Sequence, residues 1–175
     1  MTTWPFGGTS KLVNEAQVAI FAAGCFWGVQ YYFDEVPGVL ETIVGYTGGH
    51  TDNPTYEQVC SHTTGHAEAV KITFDPAKVS YETLLKQFFR MHDPTQLNRQ
   101  GPDVGDSYRS AIFYLDEDQK KAAQTTIDKL NKQKFGGKIV TSLEAPTKFW
   151  PAEDYHQKFT QKTGQGACHI DYAPV

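Results

Sequence analysis

Gln17-Val18-Ala19-Ile20-Phe21-Ala22-Ala23-Gly24-Cys25-Phe26-Trp27-Gly28-Val29 decides how the rest of the chain reads. Gln17 to Ala23 is small and apolar, follows polar Asn14-Glu15, and predicts a buried strand. Beyond Gly24, the apolar residues Phe26, Val29, Phe33 and Val36 fall three and four apart, the spacing of one helix face. Pro37-Gly38 then stops the helix. Cys25 therefore stands where a strand turns into the first turn of a helix. Unpaired backbone N–H groups and the positive end of the helix dipole favour a thiolate there. A reactive thiol is the functional expectation, and a buried structural cysteine is the alternative. Gly28 costs about 1 kcal/mol against Ala inside a helix, which predicts a close approach to the backbone at that point.

A chain of 175 residues is large enough to bury a core as one domain without disulfides or a structural metal. The net charge of −4, with both signs evenly mixed, leaves no basic patch for nucleic acid or an anionic membrane. No apolar run approaches the roughly 18 residues of a membrane span. The opening Met1 to Gly8 lacks the basic and apolar regions of a signal peptide. Cys25, Cys60 and Cys168 are too scattered for a disulfide framework or a paired-cysteine zinc site. The histidines have no ligand spacing either, so no metal is expected. A reducing cytoplasm is the expected location.

Residues 1–15 read as an extended arm, with Trp4 and Phe6 available to dock on the body. Thr42, Val44 and Tyr46 alternate within a strand from Val39 to Tyr46, and a loop follows from Gly48 to Pro54. Tyr56 to Cys60 fits a short helix or an extended piece equally. Ala67 to Phe74 predicts a strand with Glu68, Val70, Ile72 and Phe74 on one face. Glu68 opens that apolar face, where lost hydration raises a carboxyl pKa; a solvated strand end or a Lys or Arg partner is the alternative. Ser80 caps a helix carrying Leu84, Leu85, Phe88 and Phe89, ended by His92-Asp93-Pro94. Asn98 to Ser107 reads as an ordered loop, and Tyr108 to Leu115 as a strand. Asp116 and Gln119 form a capping box for a helix through about Lys132, with Ala123, Ile127 and Leu130 inward. Gly136-Gly137 ends it, Ile139, Thr141 and Leu143 suggest a strand, and Pro151 opens a short helix through Phe159. Residues 160–175 read as a mobile tail punctuated by Gly164 and Gly166. The expected fold is α+β: a mixed or antiparallel sheet with packed helices in a ferredoxin-like two-layer core, and extensive loops.

Gly24-Cys25-Phe26-Trp27-Gly28 resembles the signature of the type A peptide methionine sulfoxide reductases. Further blocks resemble that family in the same order: Gly45-Tyr46-Thr47-Gly48-Gly49, Asn53-Pro54-Thr55-Tyr56, Gly65-His66-Ala67-Glu68-Ala69-Val70, His92-Asp93-Pro94, Tyr108-Arg109-Ser110-Ala111-Ile112 and Ala152-Glu153-Asp154-Tyr155-His156-Gln157. The resemblance covers the chain from about Gln17 to His156 and is weakest in the C-terminal tail. It implies reduction of the S epimer of methionine sulfoxide, free or in proteins, the epimer selectivity being a property of the enzyme class. It also implies roles: Cys25 as nucleophile, Glu68 as acid, Tyr56 and Tyr108 as donors to the sulfoxide oxygen, and Asp103 on the polar side. Phe26 and Trp27 would receive the substrate methyl group, although the helical pattern turns Phe26 toward the core.

The chemistry agrees with these residue types. A sulfoxide sulfur is a poor electrophile until its oxygen is protonated or strongly hydrogen-bonded, so an acid and donors must face a thiolate. Oxygen transfer leaves Cys25 as a reversible sulfenic acid. Regeneration needs a second thiol, for which Cys168 is the candidate: a Cys25–Cys168 disulfide would then be reduced by thioredoxin or by dithiothreitol, with no cofactor. The disulfide needs Cα atoms within about 7 Å. Cys60 reads as a buried spectator, Asp154 and His156 as supports of the fold, and the protein as a monomer. On pattern alone, Tyr56 and Tyr108 are packed aromatics with satisfied hydroxyls.

Two rival readings use the same residues. Cys25-Phe26-Trp27 with His156 or His169 downstream resembles a papain-like cysteine hydrolase, but no glutamine oxyanion donor precedes Cys25 in the expected place and no asparagine follows at a suitable interval. A module binding methionine peptides in an aromatic pocket, with an incidental thiol, would show saturable affinity and no product.

Overall fold

A computed structural model describes residues 16–165. The first ordered unit is the predicted one: strand β1 (Gln17–Ala23) runs through Gly24 and Cys25 into helix α1 (Phe26–Asp34). Strand β2 (Val39–Thr47) leads through a loop and the short helix α2 (Tyr56–Cys60) to strand β3 (Ala67–Phe74). Helix α3 (Tyr81–Arg90) then precedes the small strands β4 (Arg99–Gln100) and β5 (Asp103–Val104), and strand β6 (Ser110–Phe113). Helix α4 (Glu117–Leu130), strands β7 (Ser142–Glu144) and β8 (Trp150–Pro151), and helix α5 (Phe159–Thr163) complete the described chain.

The main sheet has the order β7-β6-β1-β3-β2-β8. Its four inner strands pair antiparallel, while β7 runs parallel to β6. β1-α1-β2-β3-α3-β6 is thus the split βαβ arrangement of the ferredoxin-like class, and the sheet is mixed as expected. Ala19, Phe21 and Ala23 alternate with Ile20 and Ala22 along β1. The first set joins α1 and α3 in the larger core; the second joins Ala67, Ala69, Ala111 and Phe113 beneath Phe149. Phe21 lies 5.7 Å from Phe33 of α1 and 5.0 Å from Phe88 of α3, measured between ring centroids. One buried side chain therefore joins both helices to the centre of the sheet.

Several elements differ from their sequence reading. Thr55 and Gln58 form a capping box that makes Tyr56–Cys60 a helix. The loop before β6 contains the β4–β5 hairpin, entered through Asn98 at φ +52° and turned at Gly101, φ +58°. The strand expected over 108–115 is only Ser110–Phe113. Tyr108 instead ends a 3-10 turn (Asp106–Tyr108), its N–H donating to the carbonyl of Gly105. The Gln119 side chain reaches back to the Leu115 N–H rather than to that of Asp116, and also donates to the Val18 carbonyl on β1. Pro151 opens no helix; it pairs with Gly45 on the β2 edge. Residues 160–163, expected in the tail, are helical in α5. That helix is held by Lys158 and Gln161 side chains donating to Asp34 of α1 at 2.7 and 2.6 Å. Residues 1–15, with Trp4 and Phe6, and 166–175, with Cys168, lie outside the described residues.

Beside β8, the Gln157 side-chain amide acts as one more strand residue: Val44 donates to its Oε1 at 3.0 Å and accepts from its Nε2 at 2.9 Å. Gly45, next to Val44, lies so close to this segment that a Cβ would come 2.4 Å from the Trp150 carbonyl oxygen and 2.6 Å from the Phe149 ring. Gly45→Ala should therefore cost about 1–3 kcal/mol through overpacking. A fall in the urea midpoint with unchanged slope checks this.

Candidate active site

Gly24 turns the chain out of β1 at φ +93°, a conformation that L side chains rarely adopt, and so delivers Cys25 to the N-cap of α1. Cys25 is half-buried, and its side chain makes no capping bond to the helix. The neighbouring strand supplies the carboxyl. In the antiparallel register, Phe21 pairs with Val70 and Tyr46 with Glu68, so Glu68 lies level with the end of β1.

The Phe26 N–H, next to Cys25, donates to Glu68 Oε1 at 3.1 Å. Glu68 is 1 % exposed, and its Oε2 is buried without a hydrogen-bond partner. A solvated or lysine-paired carboxyl is thereby excluded. Burial pushes the carboxyl up to about 8, against the opposing pull of the Phe26 N–H, and the charge of Asp103 adds to the rise. At neutral pH Glu68 is then mostly the neutral acid, by roughly ten to one. Because Oε1 accepts from the backbone, the proton belongs on Oε2, where it is free to be donated.

The tyrosines come from two different turns. Tyr56 opens α2, and Tyr108 ends the 3-10 turn. Burial, then the nearby charge of Glu68, raises both phenols above their ordinary value, so both are donors. Both phenols act on the thiol of Cys60, favouring its charged form. Cys60 is half-buried and ends the helix that Tyr56 begins. Burial pushes its thiol up, against the pull of the two phenols. Tyr108 also senses the charges of Asp103 and Cys25, so Cys25, Glu68, Asp103, Tyr56, Tyr108 and Cys60 form one coupled cluster.

The apolar side is aromatic. Trp27 is half-buried and stacks on Phe159 at 3.9 Å, with Tyr56 at 6.4 Å. Phe26 is 1 % exposed, its ring packed 5.7 Å from Tyr46 and 5.3 Å from His156. It backs the site rather than lining it, because the first turn of α1 points it into the core. His156 accepts the Trp27 indole N–H at Nδ1, 2.8 Å away, and its Nε2 has no hydrogen-bond partner. Its Nδ1 is thus committed to Trp27 and is not available as the base that a hydrolase would require. A cavity of about 690 Å³ bordered by Phe89, Arg90, His92, Lys134 and Phe135 shares no residue with this cluster.

The model of the peptide methionine sulfoxide reductase family matches residues 17–175. The chain belongs to that family. It is 53 % identical to the peptide methionine sulfoxide reductase MsrA of Geobacter sulfurreducens, over 86 % of this chain and 93 % of that one. The reduced form of Mxr1 from Saccharomyces cerevisiae superposes with a TM-score of 0.81 at 32 % identity, covering 87 % and 88 % of the two chains. Mxr1 in complex with Trx2 shares the fold at a TM-score of 0.60 and 21 % identity, over 91 % of this chain and 89 % of that one. The protein is thus an enzyme, a methionine sulfoxide reductase. Among its described residues, no three His, Cys, Asp or Glu side chains are grouped to hold a metal, and no helix is long and apolar enough to cross a membrane.

Three residues beside the candidate site carry no such place in the sequence reading: Cys60, Glu153 and His156. Cys60 falls four positions after Tyr56, a helical interval whose meaning depends on the Thr55 cap. Glu153 holds the Tyr46 hydroxyl at 2.8 Å and the Tyr56 N–H at 3.0 Å, contacts without a local signature.

The buried acid has a stability signature. Its folded pKa lies above its unfolded value, so the stability that it contributes is whole below about pH 4.5 and is lost as pH rises through about 8. Glu68→Gln should flatten the urea midpoint between about pH 5 and about pH 9 relative to the parent protein. Parallel curves for the two proteins would contradict a proton on the buried carboxyl.

Proposed function

We propose that the reductase acts on the S epimer of methionine sulfoxide, free or in proteins, with Cys25 as nucleophile and Glu68 as proton donor. The observation that carries this reading is the Phe26 N–H bond to Glu68, which sets a neutral acid beside the cysteine at the helix tip. Glu68 Oε2 gives its proton to the sulfoxide oxygen, and the Tyr56 and Tyr108 hydroxyls donate to that oxygen as its negative charge grows. Asp103 sets the polar side, its charge adding to the burial that keeps Glu68 protonated. Trp27, with Phe26 behind it, receives the methyl group. The Cys25 sulfur gains the oxygen and becomes a sulfenic acid, while the sulfoxide loses it and leaves as the thioether.

A second thiol must then displace the hydroxyl as water. Cys168 is the candidate, giving a Cys25–Cys168 disulfide that a dithiol reduces, thioredoxin in the cell or dithiothreitol in the assay. Support for thioredoxin comes from the shared fold with yeast Mxr1, which has been captured with Trx2.

A stereo-resolved assay with thiol counting tests the scheme. Cys25→Ser should abolish reduction, and Glu68→Gln should slow it by about 10²- to 10⁴-fold while retaining some turnover. Activity of the parent enzyme should fall as pH rises through about 8, where Glu68 gives up its proton. With thioredoxin as reductant, Cys168→Ser should stop after one equivalent of product. Full activity in Cys25→Ser removes the mechanism, and a Cys25–Cys60 bond in the oxidised enzyme removes the assigned role of Cys168.

A further inference from the structure

We propose that His156 is a positioning residue of the reductase: by accepting the indole N–H it sets the orientation of Trp27 as the wall of the methionine sulfoxide site. The inference rests on the reading of Trp27 as the apolar wall, and it assigns a role that the chemical scheme leaves unused.

Stacking alone does not orient Trp27. Its ring lies nearly parallel to Phe159 at 3.9 Å and 18°, and similarly to Tyr56 at 6.4 Å and 25°. Such contacts tolerate sliding and rotation in the ring plane, because each is set by distance between faces. The indole N–H is the ring's one directional handle, and it is spent on His156 Nδ1 at 2.8 Å.

His156 is itself held firmly. It is fully buried, with ring centroids 5.3 Å from Phe26, 4.4 Å from Tyr56 and 4.1 Å from Tyr155. Its backbone N–H donates to the Glu153 carbonyl at 2.9 Å, closing a 3-10 turn (Asp154–His156). Since an indole only donates, Nδ1 carries no proton, and the neutral imidazole keeps its proton on Nε2. Burial lowers the histidine's pKa and supports that neutral form. Nε2 faces Glu153 Oε1 at 3.9 Å, beyond hydrogen-bond reach, so the acceptor role is the one that the ring fulfils.

The same short segment serves the opposite side of the site. Glu153 Oε2 accepts the Tyr56 N–H at 3.0 Å, which anchors the start of the helix carrying Tyr56 and Cys60. Glu153 and His156 thus fix a proposed sulfoxide donor and the proposed methyl wall from one turn. His156 reaches the substrate only through Trp27, which separates it from the residues that touch reacting atoms.

The test is a set of variants assayed on a peptide containing methionine S-sulfoxide, with thiol reductant in excess. His156→Phe keeps a ring in the stack and removes the acceptor. Its KM should rise about five- to ten-fold, with kcat within about two-fold of the parent. His156→Asn places an amide oxygen near the position of Nδ1 and should recover most of the lost affinity. In a Trp27→Phe background, His156→Phe should have no further effect on KM. The indole ¹H–¹⁵N resonance of Trp27, assigned with that variant, should move upfield in His156→Phe and not in His156→Asn. An unchanged KM in His156→Phe overturns the proposal, as does a KM effect that persists without the Trp27 indole. Should Trp27→Phe itself leave KM unaltered, the wall reading fails, and the positioning role fails with it. A KM raised by Trp27→Phe but not by His156→Phe defeats only the positioning role.

Discussion

The bond from the Phe26 N–H to Glu68 is the contact on which the rest depends. A helix leaves its first N–H groups without intrahelical partners, and a carboxyl buried on a central strand cannot find water. One hydrogen bond meets both needs, and it fixes the height of α1 over β3. Cys25, the residue before that N–H, inherits its place relative to the carboxyl. Two influences then oppose each other at Glu68. The N–H favours the anion, burial favours the acid, and burial prevails.

Keeping that balance requires that no cation come near. Arg109 leaves the same segment as Tyr108, but it is committed elsewhere: to Glu144 at 2.9 Å, and to the carbonyls of Gly65 and Asp106 at 3.1 and 3.0 Å. The carboxylate of Glu144 is correspondingly held below its usual range by Arg109 and Ser142, against its own burial. Two glutamates in one protein thus have opposite protonation states at neutral pH, one isolated with a helix N–H and one paired with a guanidinium. Gly48 lies against this ion pair so closely that a Cβ would meet Arg109 at 2.7 Å. The pair and the tyrosine turn are therefore packed as one piece.

The acidic and apolar sides of the site are organised separately. Tyr56 and Tyr108 both lie in electrostatic reach of Cys60 and of Glu68. On the other side, Trp27 is bracketed by Phe159 and by the 154–156 turn. The network of Lys158, Gln161, Thr42 and Asp34 ties α5 beneath α1, so the chain leaves the described body from a fixed point.

Much of this was legible in the chain itself. Period-two and period-3.6 apolar patterns placed β1, α1, β2, β3, α3 and the body of α4, and the ferredoxin-like arrangement followed as the expected class. The strand-to-helix passage through Gly24 located Cys25, and the alternation of β3 set Glu68 on the apolar face. These are local properties, expressed over a few residues, and local sterics and burial suffice to decide them. Tertiary structure alone decided the rest. The Glu68–Phe26 bond spans 42 positions, that of Tyr56 to Glu153 spans 97, and that of Trp27 to His156 spans 129. No periodicity reports a partner at such distances. Tyr108 was misread as a strand residue because tyrosine itself favours strands and stands just ahead of the apolar run of β6, which hides the turn that begins at Gly105, φ +133°. Pattern tells which face a side chain takes, but only the packed chain settles which group it meets there, because a hydrogen bond depends on the position of both partners and the sequence describes one at a time.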